Sequence, residues 1–176
     1  RTWTEVGDRV ARLAGALKSL GVGKGERVAV LMLNQDRYIE LYLGVAWAAA
    51  VIVPLNIRWS ALENEDALRD CAPKVLFVDA AFAAMGAELA KKVGGLRLVY
   101  ADDAPNPVAD AGALDYEKLI ADAAPLGDQQ AGDDDLAGIF YTGGTTGRSK
   151  GVMLSHRNLM SNARNMLGEG LASQGG

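Results

Sequence analysis

The sequence predicts an α/β fold in which helices alternate with mostly parallel strands. Two observations predict it. The runs "RVAVLML", "VIVPL", "KVLFV" and "LRLVY" have the unbroken apolar, β-branched character of strands covered on both faces. The segments between them carry apolar residues at helical spacing and helix-start signals. With 176 residues and 49% hydrophobic content, the chain is long enough to bury one substantial core.

Thr2 and Glu5 have capping-box spacing, and Val6, Val10, Leu13, Leu17 and Leu20 follow at helical intervals until Gly21 ends the helix. "GVGKGE" then turns the chain into the first strand. Asn34 is placed to cap a second helix that reads through Tyr38, Ile39, Leu43 and Trp47 and leads to "VIVPL". Ser60 and Glu63 repeat the capping box before a helix that ends near Cys71, with Pro73 beyond it. After "KVLFV" come a helix over about 80–92, the strand "LRLVY" and a short helical segment at about 116–121. Residues 101–113 and 121–135, rich in Asp, Ala, Pro and Gly, read as surface connections, and Asp133, Asp134 and Asp135 as a solvated run.

The net charge of −4 and the scattered basic residues argue against nucleic acid or an anionic membrane as partner. Cys71, the single cysteine, has no disulfide or metal-ligand companion, which suits a buried thiol in a reducing, cytoplasmic setting. The uncharged stretch 41–55 is too short for a membrane span and carries Pro54 near its end. No cationic segment with an apolar core opens the chain, but it begins with Arg1 and stops at "LASQGG", so the expectation is a fragment of a longer protein.

The most informative stretch is "FYTGGTTGRSKGVMLSH", residues 140–156. "LAGIFY" reads as a buried strand delivering the chain into Thr142, Gly143, Gly144, Thr145, Thr146 and Gly147, and then Arg148, Ser149, Lys150 and Gly151. Glycines permit positive φ and let backbone N–H groups approach a ligand unobstructed, which makes an anion cradle. The threonine hydroxyls add donors that also suit a cation, and Lys150 supplies a mobile charge for terminal phosphates. Polyphosphate is the guest this chemistry favours over a plain hairpin turn. A Walker A loop does not fit, because two residues separate Gly147 from Lys150 and Gly151 stands where a Mg²⁺-binding hydroxyl belongs. "VMLS" looks like a strand, so the loop should join two strands.

These residues resemble the phosphate-binding signature of the adenylate-forming ligases, approximately [YF]-T-[SG]-G-[ST]-T-G-x-P-K-G, with Ser149 in place of the usual proline. "TWTEV", "GVGKGERVAVLMLN" and "AWAAAVIVPLNIRWS" are similar to the family's N-terminal region in the same order, so the likeness covers nearly the whole chain. It implies that residues 1–176 are an incomplete N-terminal part of the large domain, with the phosphate loop at 141–151. The rest of that domain and the C-terminal lid are absent, and the chain alone should be inactive. "VMLSHRNL" and "PLN" lean towards medium- or long-chain fatty acyl-CoA synthetases.

The resemblance implies a carboxylic acid, ATP and coenzyme A as reactants, with Mg²⁺. It makes Lys150 the catalytic cation, places Thr142, Gly143, Gly144, Thr145, Thr146, Gly147 and Lys150 on the nucleotide phosphates, and makes Thr142 the metal's hydroxyl ligand. Two alternatives stand beside the synthetase: an adenylation domain loading a carrier protein, and a non-catalytic nucleotide-binding or scaffold module. A truncated domain would expose apolar surface, so association with itself or a partner is expected. His156 falls in a probable first helical turn after Ser155 and reads as structural. Arg148 is left open between phosphate and solvent. Trp3, Trp47 and Trp59 read as core or packing residues.

Overall fold

The computed structural model describes residues 1–143 and 149–173. In chain order the elements are α1 (Trp3–Ser19), β1 (Arg27–Leu31), α2 (Asp36–Trp47), β2 (Val51–Pro54), α3 (Ala61–Cys71), β3 (Val75–Val78) and α4 (Ala83–Val93). Then follow β4 (Arg97–Tyr100), a 3-10 turn (Ala109–Ala111), β5 (Leu114–Asp115), α5 (Tyr116–Asp122), β6 (Leu136–Thr142), β7 (Lys150–Ser155) and α6 (His156–Ser173). The strands form one sheet in the order β5-β4-β3-β1-β2-β6-β7. Every neighbouring pair is parallel except β6 and β7, which are antiparallel.

Strand periodicity divides the core in two, because successive side chains leave opposite faces of the sheet. Val28, Val30, Val75 and Phe77 meet Leu13 and Leu17 of α1, Leu41 and Val45 of α2 and Ile120 of α5. Ala29, Leu31, Leu76 and Val78 meet Ala67 and Leu68 of α3 and Leu89 of α4. Both capping boxes form as the sequence predicts, with Thr2 and Ser60 each accepting from the backbone of the glutamate three residues on.

Of the apolar residues read along the second helix, Tyr38 and Trp47 pack against the core and the other two do not. Ile39 and Leu43 are exposed, whereas Arg37, Glu40, Leu41, Gly44 and Val45 are buried. Leu41 and Val45 enter the core on this face, and the buried charges beside them are paired: Glu40 meets Arg9 of α1 at 2.7 Å, and Arg37 meets Glu117 of α5 at 2.8 Å. Gln35, not Asn34, is the N-cap, and it makes no side-chain capping bond.

The connection over 121–135 is docked against the helices. Leu126 N–H donates to the Ala11 carbonyl at 2.8 Å, and Gln129 N–H to that of Trp47 at 2.9 Å. The Trp47 indole also donates to the Leu126 carbonyl. Asp133 and Asp134 pair with Arg157, and Asp135 pairs with Lys24. Asp133 and Asp134 remain strongly exposed, in keeping with a solvated run, while their charges face the first turn of α6. Trp3 is 83% exposed and belongs to no core, because it is the first residue of α1 and stands two turns before Val10, where the buried stretch of that face begins. Trp47 and Trp59 do pack against the two cores. "LAGIFY" is buried only at Ala137 and Gly138, since β6 has only the exposed strand β7 beyond it.

Candidate functional site

Parallel pairing with β2, at Ile52 opposite Gly138, carries β6 to the C-terminal edge of the sheet and sets Thr142 there. The close approach requires a glycine: a Cβ at Gly138 would lie 2.7 Å from the Phe140 ring and 3.2 Å from the Ile52 carbonyl oxygen. The C-terminal edge of parallel strands is where open α/β sheets bind ligands. The chain returns along β7, whose first residue, Lys150, is the register partner of Thr142. The loop thus joins two strands, as the sequence predicts.

Of the residues expected to bind phosphate, Thr142, Gly143 and Lys150 are described and all are exposed. Gly144, Thr145, Thr146 and Gly147, with Arg148, lie outside the described residues. Among the described residues nothing lies within 4 Å of where a Cβ would project from Gly143, and its backbone does not use the left-handed region. There the glycine contributes openness toward the described residues. Among the described residues the Thr142 hydroxyl makes only a 3.5 Å contact, to the Lys150 carbonyl oxygen, so none of them occupies it as an oxygen ligand. Among the described residues no cluster of three His, Cys, Asp or Glu is poised to hold a metal. A Mg²⁺ ion at this end of the hairpin would take few protein ligands and keep waters or substrate oxygens, a mode normal for that ion.

Behind the loop lies an arrangement that the sequence reading did not isolate. The Tyr141 hydroxyl donates to Asp70 Oδ2 at 2.6 Å and also lies 3.2 Å from the Ala67 carbonyl oxygen, both in the last turns of α3. The Trp59 ring meets the Tyr141 ring edge-on, with centroids 6.3 Å apart. Tyr141 pairs across the hairpin with Gly151, where a Cβ would fall 2.6 Å from Ile139 Cγ2 and 3.3 Å from the Tyr141 ring. Ser149 joins Asp66, Ala67, Asp70 and Tyr141 around a cleft of about 50 Å³. Burial, reinforced by Asp70, pushes the Tyr141 hydroxyl well above its ordinary range. Burial likewise pushes the neighbouring Cys71 thiol up to about 11, so this thiol is protonated and inert at neutral pH. Cys71 is free and buried, as expected.

His156 begins α6 just past the opposite end of β7, a strand whose ends, Lys150 and Ser155, lie about 17 Å apart at strand rise. Ser155 caps this helix: its hydroxyl accepts from Asn158 N–H at 3.3 Å, while Asn158 Oδ1 accepts from Ser155 N–H at 2.9 Å. The His156 ring lines a groove with Trp3, Val10, Leu43 and Trp47, and its Nε2 has no hydrogen-bond partner among the described residues. Its place far from the loop agrees with a structural role.

A family model described as "AMP-binding enzyme" matches residues 1–174. Feruloyl-CoA synthase of an Amycolatopsis species is 40% identical over 168 residues, covering 96% of this chain and 31% of its own length. The peroxisomal benzoate–CoA ligase of Arabidopsis thaliana is 35% identical over 170 residues, covering 89% of this chain and 29% of its own. Among solved structures, ATP-bound MatB from Rhodopseudomonas palustris superposes with a TM-score of 0.77 at 34% identity, over 94% of this chain and 31% of that one. A benzoate CoA ligase from Burkholderia xenovorans LB400 gives 0.79 at 26% identity, over 93% and 31%. The chain therefore spans about a third of the length of the curated relatives it matches. With its fold, its loop and these matches in agreement, the chain belongs to the AMP-binding family of adenylate-forming ligases.

Proposed function

We propose that this chain is the N-terminal, phosphate-gripping part of an ATP-dependent acyl-CoA synthetase. The enzyme converts a carboxylic acid, ATP and coenzyme A into acyl-CoA, AMP and pyrophosphate. A carboxylate oxygen attacks the α-phosphorus of ATP and the bond to the bridging oxygen of pyrophosphate breaks, which leaves an acyl-adenylate. The thiol sulfur of coenzyme A then attacks the acyl carbon and AMP departs. The observation that carries this reading is the placement of Lys150 opposite Thr142, at the open end of a hairpin on the C-terminal edge of the sheet. There the ammonium faces charge that grows on the departing pyrophosphate, joined by the main-chain N–H groups of the glycine-rich segment.

In this reading Thr142, Gly143, Gly144, Thr145, Thr146, Gly147 and Lys150 hold the phosphates. Thr142 supplies its hydroxyl to Mg²⁺, which when bound neutralises phosphate charge. The remaining two-thirds of the enzyme, judged from the share of its relatives that the chain spans, would complete the site. The chain by itself is proposed to be inactive, and the site of action to be the cytoplasm.

The substrate class we favour is an aromatic carboxylate, because relatives at 34–40% identity are named for ferulate, benzoate and hydroxybenzoates. Fatty acids are the second reading, supported by "VMLSHRNL" and "PLN". Lys150→Ala in the full-length enzyme tests the mechanism through carboxylate-dependent ATP–pyrophosphate exchange. Exchange is expected to fall about 100-fold with the fold intact. Exchange at the parent rate would remove Lys150 from the mechanism.

A further inference from the structure

We propose that Asp70 and Tyr141 form a positioning tether that sets the phosphate loop against the end of α3. The inference rests on the reading of the loop as the ATP-binding element and extends it to residues that touch no substrate. The argument begins with connectivity. Tyr141 immediately precedes Thr142 on β6 and pairs with Gly151, the residue after Lys150. Its ring and hydroxyl thus sit one residue behind both sides of the loop's mouth.

The ring lies against Gly151 so closely that a Cβ there would be 3.3 Å from it, and the Trp59 ring braces its other contacts. The hydroxyl is fastened to α3 by a 2.6 Å bond to the Asp70 carboxylate, a charge-assisted contact of the stronger kind. Because burial and Asp70 keep this hydroxyl protonated, it is a donor throughout the neutral range. Losing the bond to Asp70 frees β6 and β7 to shift relative to α3. Lys150 is at the first position of β7, so small shifts there move the ammonium with respect to the leaving group, and alignment errors of this kind are costly.

The test is carboxylate-dependent ATP–pyrophosphate exchange by the full-length enzyme bearing Tyr141→Phe, Asp70→Ala, both together, or Asp70→Asn. Lys150→Ala serves as the control on the loop itself. Each of the first two is expected to raise KM for ATP and lower kcat, about tenfold in combination, without changing KM for the carboxylate. The double variant should be no worse than either single one, and Asp70→Asn, which keeps an acceptor oxygen, should recover most of the loss. A purely structural role predicts a smaller active fraction with every KM unchanged. That result, or parent-like kinetics in Tyr141→Phe and Asp70→Ala while Lys150→Ala is slow, would overturn the tether. An unaffected Lys150→Ala would overturn the phosphate reading, and the tether with it.

Discussion

Arg9 grips Glu40 with two prongs, Nε to Oε1 at 2.7 Å and Nη2 to Oε2 at 3.0 Å, although the two residues lie on different helices and Glu40 is 1% exposed. Arg9 also reaches both oxygens of Glu117, at 2.8 and 3.1 Å, and the Tyr116 hydroxyl donates to Glu40 at 2.8 Å. Removing one partner of a buried pair leaves an uncompensated charge, whereas the intact pair contributes modestly. Arg9→Met is therefore expected to destabilise the protein by about 3 kcal/mol in chemical denaturation. A loss under about 0.5 kcal/mol, the scale of an ordinary surface change, would show that Glu40 finds adequate partners without Arg9.

The same cluster predicts acid sensitivity. Burial alone would raise the Glu117 carboxyl, but hydrogen bonds and charge from Arg9 and Arg37 outweigh it and hold the group below its ordinary value. A depressed carboxyl contributes stability above its unfolded pKa of about 4.5 that is lost as pH falls through the folded one. Denaturation midpoints should thus drop more steeply below about pH 4.5 in the parent than in Glu117→Gln. Parallel curves would remove Glu117 from the acid response.

Gly15 makes the docked connection possible. A Cβ at this position would lie 2.0 Å from the Ala124 carbonyl oxygen, which is backbone and cannot swing aside. Gly15→Ala gains about 1 kcal/mol of helix propensity but must push the connection off α1, so a net loss of about 1–2 kcal/mol is expected. Limited proteolysis should cut within 121–135 faster in the variant. An equally resistant and more stable variant would mean that this contact gives way easily.

Thr142 and the metal can be tested apart from Lys150. Thr142→Val in the full-length enzyme should slow pyrophosphate exchange and raise the Mg²⁺ concentration needed for half-maximal rate, each by about tenfold. A slower enzyme with an unchanged Mg²⁺ requirement would assign the hydroxyl to the phosphates instead.

Cys71 predicts an alkaline limit. Its folded pKa is raised by burial, so the associated stability is fully present below the unfolded pKa of about 9 and is lost as pH rises through about 11. The loss is at most about 3 kcal/mol, and Cys71→Ala should flatten that part of the profile. Below pH 9 the folded thiol should resist alkylation. Fast labelling of the folded protein at neutral pH would contradict this burial.

What the sequence by itself determined is local or contiguous: strand runs, two capping boxes, the hairpin loop and the family signature all lie within short windows and follow from residue spacing. The Tyr141 hydroxyl, by contrast, finds Asp70 across 71 positions, and Arg9 finds Glu117 across 108. No window contains both partners, so only the tertiary structure decided that α2 would bury Arg37 and Glu40 while leaving Ile39 and Leu43 outside. Apolar spacing marks which residues favour burial. Which face of a helix meets the core is settled by the sum of its contacts, and here Leu41 and Val45 enter the core while Arg37 and Glu40 beside them are paired with distant charges.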